Sequence, residues 1–92
     1  MIQIIYDGNC RITLEGHAGF APKGRDLVCA AVSGLTLGLK EQAEQAELER
    51  GFGVLQGGDP RIYSAFAAGY ESLANFFPKY VHYKCLKDEK GE

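Results

Sequence analysis

The chain has 92 residues, 46% of them hydrophobic and 24% charged, with a formal net charge of -2. That is one small domain with a single core and little apolar surface to spare, so pairing with a second copy is a natural way to bury more, and wholesale disorder is excluded. An isoelectric point near 5.7 excludes the basic footprint of a protein whose main business is binding nucleic acid, leaving at most a local contact.

Residues 1–7 carry no basic region or cleavage site, and no apolar run approaches the ~20 residues needed to span a membrane, so the chain reads as cytoplasmic. The three cysteines, Cys10, Cys29 and Cys85, are odd in number and form no Cys-x-x-Cys pair. Reduced thiols are the expectation, not a disulfide framework.

Ile2, Ile4 and Tyr6 alternate with Gln3, Ile5 and Asp7, and after Asp7-Gly8-Asn9 the alternation resumes with Cys10, Ile12 and Leu14. This predicts a β-hairpin with one face open to solvent. From Ala18 to Arg25 the periodicity disappears, and Gly19, Pro22 and Gly24 leave a loop that is expected to move. Asp26 is a helix N-cap, and behind it Val28, Val32, Leu35 and Leu39 recur at helical spacing, which predicts a buried helix to about Ala43. Ala30, Gly34 and Gly38 form a row of small residues on it, read as tight packing on a sheet in preference to a groove for a partner. The polar residues 40–45 are read as the solvated end of that helix.

Residues 48–56, broken by Gly51 and Gly53, are read as one strand through Phe52, Val54 and Leu55, with room for a short partner just before Gly51. Asp59-Pro60 gives a cap followed by proline at the first helical position, and Ile62, Phe66, Tyr70, Leu73 and Phe77 mark one face until Pro78 stops the helix. Residues 80–86 alternate again as a final strand, and residues 87–92 are a charged, fraying tail. The order is β-β-α-β-α-β with a possible extra short strand: a single α/β (α+β) domain over 1–92, in which two helices cover one face of a mixed, mainly antiparallel sheet.

His17 and Cys29 bracket the glycine-containing loop. With Asp26 as cap, Cys29 falls in the first helical turn, where unpaired N–H groups and the positive end of the helix dipole favour a thiolate, as would Lys23, Arg25 and a protonated His17. A loop of that length can return the imidazole to the sulfur. Such a pair can work as nucleophile and base in acyl transfer, with the free N–H groups around Cys29 as candidate oxyanion donors. Asp26 could orient His17, but its place favours the cap. Ser33, one turn on, could line the site, though a serine bonded back to its own helix is the plainer reading. The bland alternative is that Cys29 is a small core residue.

Gly16-His17-Ala18, the short loop, and then Gly24-x-Asp26-Leu27-Val28-Cys29-Ala30-Ala31-Val32-Ser33 resemble the signature of the ribosomal-processing cysteine proteases of the Prp family. The resemblance covers about a fifth of the chain. It implies a catalytic dyad of His17 and Cys29 with Asp26 in support, a substrate loop that includes Gly19, Phe20 and Gly24 with Ser33 nearby, no cofactor, and a homodimer. It also implies endoproteolytic removal of a short N-terminal extension from a large-subunit ribosomal protein, number twenty-seven, after a paired-aromatic motif. Leu27 stands where isoleucine is commoner in the family, and residues 47–59 are shorter than usual. An extended substrate could add to a sheet edge beside the dyad, with Phe20 and helix residues lining pockets for its aromatics.

Cys10, His82 and Cys85 are set aside as metal ligands, because a regular last strand points the latter two to opposite faces. Lys23-Gly24-Arg25 lacks the spacing of a nucleotide loop. The competing functions are a non-catalytic ribosome-associated module that binds protein or RNA and keeps Cys29 packed, and a different hydrolase or redox-sensing thiol on the same scaffold.

Overall fold

The computed structural model of the chain describes residues 1–19, 21 and 26–87. The amino-terminal alternation is realised there as a hairpin, in which β1 (Ile2–Tyr6) pairs antiparallel with β2 (Arg11–Gly16) from Ile2↔Gly16 to Tyr6↔Ile12. Ile2, Ile4, Tyr6, Ile12 and Leu14 are buried while Gln3, Ile5, Arg11 and Glu15 are exposed, so one face of the sheet meets the core. The sheet continues through β4 (Phe52–Gln56), antiparallel to β2, to β3 (Gln45–Glu49) at one edge, while β5 (Val81–Cys85) runs parallel to β1 at the other. The result is a five-stranded mixed sheet in the order β3-β4-β2-β1-β5.

The helix α1 (Leu27–Lys40) is shorter than its periodicity predicts. The N–H groups of Gln42 and Ala43 both turn back to the Leu39 carbonyl, and Glu44 N–H donates to Gly57, which hands the chain to β3. Glu-Gln-Ala-Glu-Gln is good helix material, but pairing of Gln45–Glu49 with β4 overrides that weak preference. The extra strand is therefore a full five-residue edge, exposed at every position.

The row of small residues does not pack on the sheet. The buried face of α1 is Val28, Val32, Thr36 and Leu39, so the row is rotated away from the strands. A Cβ on Gly38 would lie 3.1 Å from the Phe66 ring of the second helix, α2 (Pro60–Phe76), whereas a Cβ on Gly34 would meet open space.

Asp59 caps α2 by accepting the Arg61 N–H at 2.9 Å, and its carboxylate also takes the Arg61 guanidinium at 3.1 and 2.8 Å. The bonds from Arg61 hold that carboxyl below its ordinary range. Of the expected stripe, Tyr70 is buried together with Tyr63 and Ala67, while Ile62, Phe66, Leu73 and Phe77 pack partly buried against the core. Tyr63 donates to the Gly57 carbonyl at 2.9 Å, and the Tyr70 hydroxyl lies 2.8 Å from Thr36 Oγ1, which donates to the Val32 carbonyl. Both tyrosines are fully buried without an unsatisfied hydroxyl, as burial of a polar group requires. No described helix is long and apolar enough to cross a membrane. The expected tail beyond Lys87 lies outside the described residues.

Candidate active site

Gly16 ends β2 with φ +102, and a Cβ there would lie 2.2 Å from the Met1 carbonyl oxygen. Only glycine fits so close to another backbone, and it turns the chain off the sheet at His17. The His17 carbonyl accepts the Met1 amino group at 2.6 Å, which ties the residue to the start of β1. His17 itself is exposed; Ala18 is buried.

On the other side, Asp26 takes the cap predicted for it, with extended backbone and Oδ1 accepting the Cys29 N–H at 2.9 Å. Cys29 stands half-buried in the first turn, against the core. Its Sγ accepts the Ala18 N–H at 3.4 Å, so the residue after His17 is in direct contact with the thiol. His17 and Cys29 line one cleft of about 880 Å³ between the end of β2, α1 and the β3–β4 hairpin. Among the described residues no hydrogen bond joins imidazole to thiol, a common condition of such pairs before substrate arrives.

Gly19, Asp26 and Ser33 line the same cleft, while Phe20 and Gly24, with the Lys23–Arg25 stretch, lie outside the described residues. Ser33 is exposed and its side chain makes no hydrogen bond to a described residue, so the back-bond from its hydroxyl to its own helix is not formed. Two of the N–H groups around Cys29 are already engaged. The Cys29 N–H is taken by Asp26 Oδ1 and the Ala30 N–H by the Asp26 carbonyl at 3.0 Å. The Ala18 N–H is likewise engaged, by the sulfur itself. Away from the cleft, Cys10 donates to the Gly58 carbonyl and His82 pairs with Gln3. Among the described residues no group of three or more His, Cys, Asp or Glu is placed to hold a metal.

Sequence reading missed the outer hairpin as a wall of the site. Leu48, Arg50, Gly51 and Phe52 face the cleft opposite Leu37 of α1, and Leu37, Leu48 and Phe52 are exposed apolar side chains. The turn was legible at Arg50-Gly51, but its position depends on the register Glu15↔Phe52 between strands far apart in sequence.

Comparison with known proteins gives one consistent grouping. The sequence model of a family described as cysteine protease Prp matches residues 1–82. Ribosomal processing cysteine protease Prp of Mycoplasma pneumoniae is 61% identical over 28 residues, a match that spans 30% of this chain and 28% of that protein. The crystal structure of an essential ribosomal processing protease Prp from S. aureus with a substrate peptide superposes with a TM-score of 0.75 at 14% identity, covering 92% of this chain and 99% of that one. The same protease with a covalently linked product peptide gives 0.74 at 16% identity over 90% and 97%. SMU.848 from Streptococcus mutans gives 0.69 at 28% identity over 94% of both chains.

Proposed function

The chain belongs to the cysteine protease Prp family, and from that membership we propose that it is a peptide hydrolase in which Cys29 is the nucleophile and His17 its base. The observation that carries this is the shared cleft, in which the backbone next to His17 donates to Cys29 Sγ across a chain separation of eleven residues.

His17 accepts the thiol proton as sulfur adds to the scissile carbonyl, and the carbonyl electrons move onto oxygen. As the tetrahedral adduct collapses, the imidazolium returns its proton to the leaving amine, and the amino-side fragment of the substrate remains as a thioester. Water then adds with His17 as base, the C–S bond breaks, and the thiol is regenerated with release of a carboxylic acid. Ala18 N–H holds the sulfur at rest, and Asp26 holds the first turn of α1 in place.

The substrate in this reading is an N-terminally extended large-subunit ribosomal protein, number twenty-seven, cut after a paired-aromatic motif, and the reaction takes place in the cytoplasm. S. aureus Prp, of like fold, has been crystallised with a substrate peptide. In this chain, Leu37, Leu48 and Phe52 offer apolar surface to such a motif, and β3 offers an open strand edge to the peptide backbone. The working form is a homodimer, twice the 10.0 kDa chain. Mixing the extended precursor with the protein and weighing the products is expected to show one cut, slowed when both aromatics are alanine. An uncut precursor, or equal rates on both substrates, overturns the reading.

A further inference from the structure

The tip of the β3–β4 hairpin reaches His17. One step beyond the last β2–β4 pair, Gly16 N–H donates to the Gly51 carbonyl at 2.8 Å, which fixes the turn against the end of β2. Gly51 has φ +80, and a Cβ built on it would lie 2.8 Å from His17 Nε2 and 3.2 Å from Cε1. The imidazole therefore rests its Nε2 edge on a Cα that has no side chain. No hydrogen bond from a described residue holds the ring, and the turn glycine is a neighbour against which its Nε2 edge lies.

We propose that Gly51 is a positioning residue for His17: the hairpin turn seats the imidazole, and the missing side chain lets Nε2 lie where it does. The proposal rests on the reading of His17 as the base. A left-handed turn alone would also ask for glycine, since most L residues are strained at that φ. The two requirements separate at Gly51→Asn, because asparagine tolerates left-handed backbone yet carries the Cβ that displaces the ring. Gly57 supplies the control. Its φ is +83, and a Cβ there would lie 2.6 Å from Glu44 Oε1 and 2.9 Å from Glu44 Cβ, so it crowds a neighbour as one on Gly51 does, but away from the cleft.

The experiment compares wild type, Gly51→Asn, Gly57→Asn and His17→Ala by thermal midpoint, by kcat and KM on a precursor peptide, and by the pH profile of Cys29 alkylation with iodoacetamide. Gly51→Asn is expected to lower kcat by about tenfold to 10²-fold with little change in KM and to shift the pH profile, since ~1 Å of misplacement costs that much. Gly57→Asn is expected to share any fall in midpoint and keep kcat and the profile. Wild-type kcat and profile in Gly51→Asn, beside an inactive His17→Ala, overturn the role of Gly51 alone. A fully active His17→Ala overturns the dyad instead. If Gly51→Asn does not fold, the native protein still decides: a nuclear Overhauser effect between His17 Hε1 and the Gly51 α-protons is expected, and its absence overturns the proposal.

Discussion

Cys29→Ala is expected to lower kcat/KM on the extended precursor by at least ~10³-fold, the scale on which removal of a covalent nucleophile acts. The fold should barely notice. The side chain is small and half-buried, its Sγ accepts a single N–H, and the cap through Asp26 uses the Cys29 backbone, which alanine keeps. A thermal midpoint within a few degrees of wild type, together with unchanged binding of the precursor, would localise the loss to chemistry. Cys29→Ser is expected to behave alike, because a hydroxyl is far harder to ionise than a thiol at neutral pH. Undiminished cleavage by Cys29→Ala would show that the thiol is only packed in the first turn of α1.

Tyr70→Ala is expected to have the largest effect on stability, roughly 3–5 kcal/mol, the cost of deleting a buried aromatic ring. Of a total near 5–15 kcal/mol for a domain of this kind, that is a large share, read as a shift of the urea midpoint. The ring is fully buried in α2, and its hydroxyl joins Thr36, which is tied to the Val32 carbonyl on α1. Val32 and Thr36 also line the cleft, so the substitution loosens the wall that carries Cys29. Tyr70→Phe keeps the ring and is expected to cost only ~1 kcal/mol.

The same residue gives the protein an alkaline limit. Burial pushes the Tyr70 hydroxyl up to about 12 from its ordinary 10.0. Below the ordinary value both folded and unfolded chains keep the proton, and the contribution is fully present. As pH rises from there towards the folded value, only the unfolded chain releases its proton, and stability falls by about 3 kcal/mol. The decline should be shallower in Tyr70→Phe.

Much of this fold is written locally. Asp26 and Asp59 announce their helices because a carboxylate before an apolar run can accept the first orphan N–H groups, and both do so. Ile2, Ile4, Ile12 and Leu14 announce the first hairpin by alternation. Gln45–Glu49 announces itself only as room for a short partner before Gly51: an edge strand exposed at all five positions has no buried face to print a period in the sequence, and its residues favour a helix in isolation. The same limit applies to the site. His17, Asp26 and Cys29 are legible because a signature spaces them and their side-chain types fit the proposed base, helix cap and nucleophile. Ala18 contributes a backbone N–H that any residue but proline has, and Gly51 contributes an absence of atoms. Ala18 matters only through where the end of β2 meets α1, and Gly51 only through where β2 meets β4.

The central claim is that His17 makes Cys29 a reactive nucleophile, and the rate of Cys29 alkylation by iodoacetamide at pH 7 measures it most directly. In wild type the rate is expected to exceed that of a free cysteine clearly, and His17→Ala is expected to bring it down towards that value while Cys10 and Cys85 react as before. A Cys29 that reacts no faster than free cysteine, or equally fast with and without His17, would contradict the account.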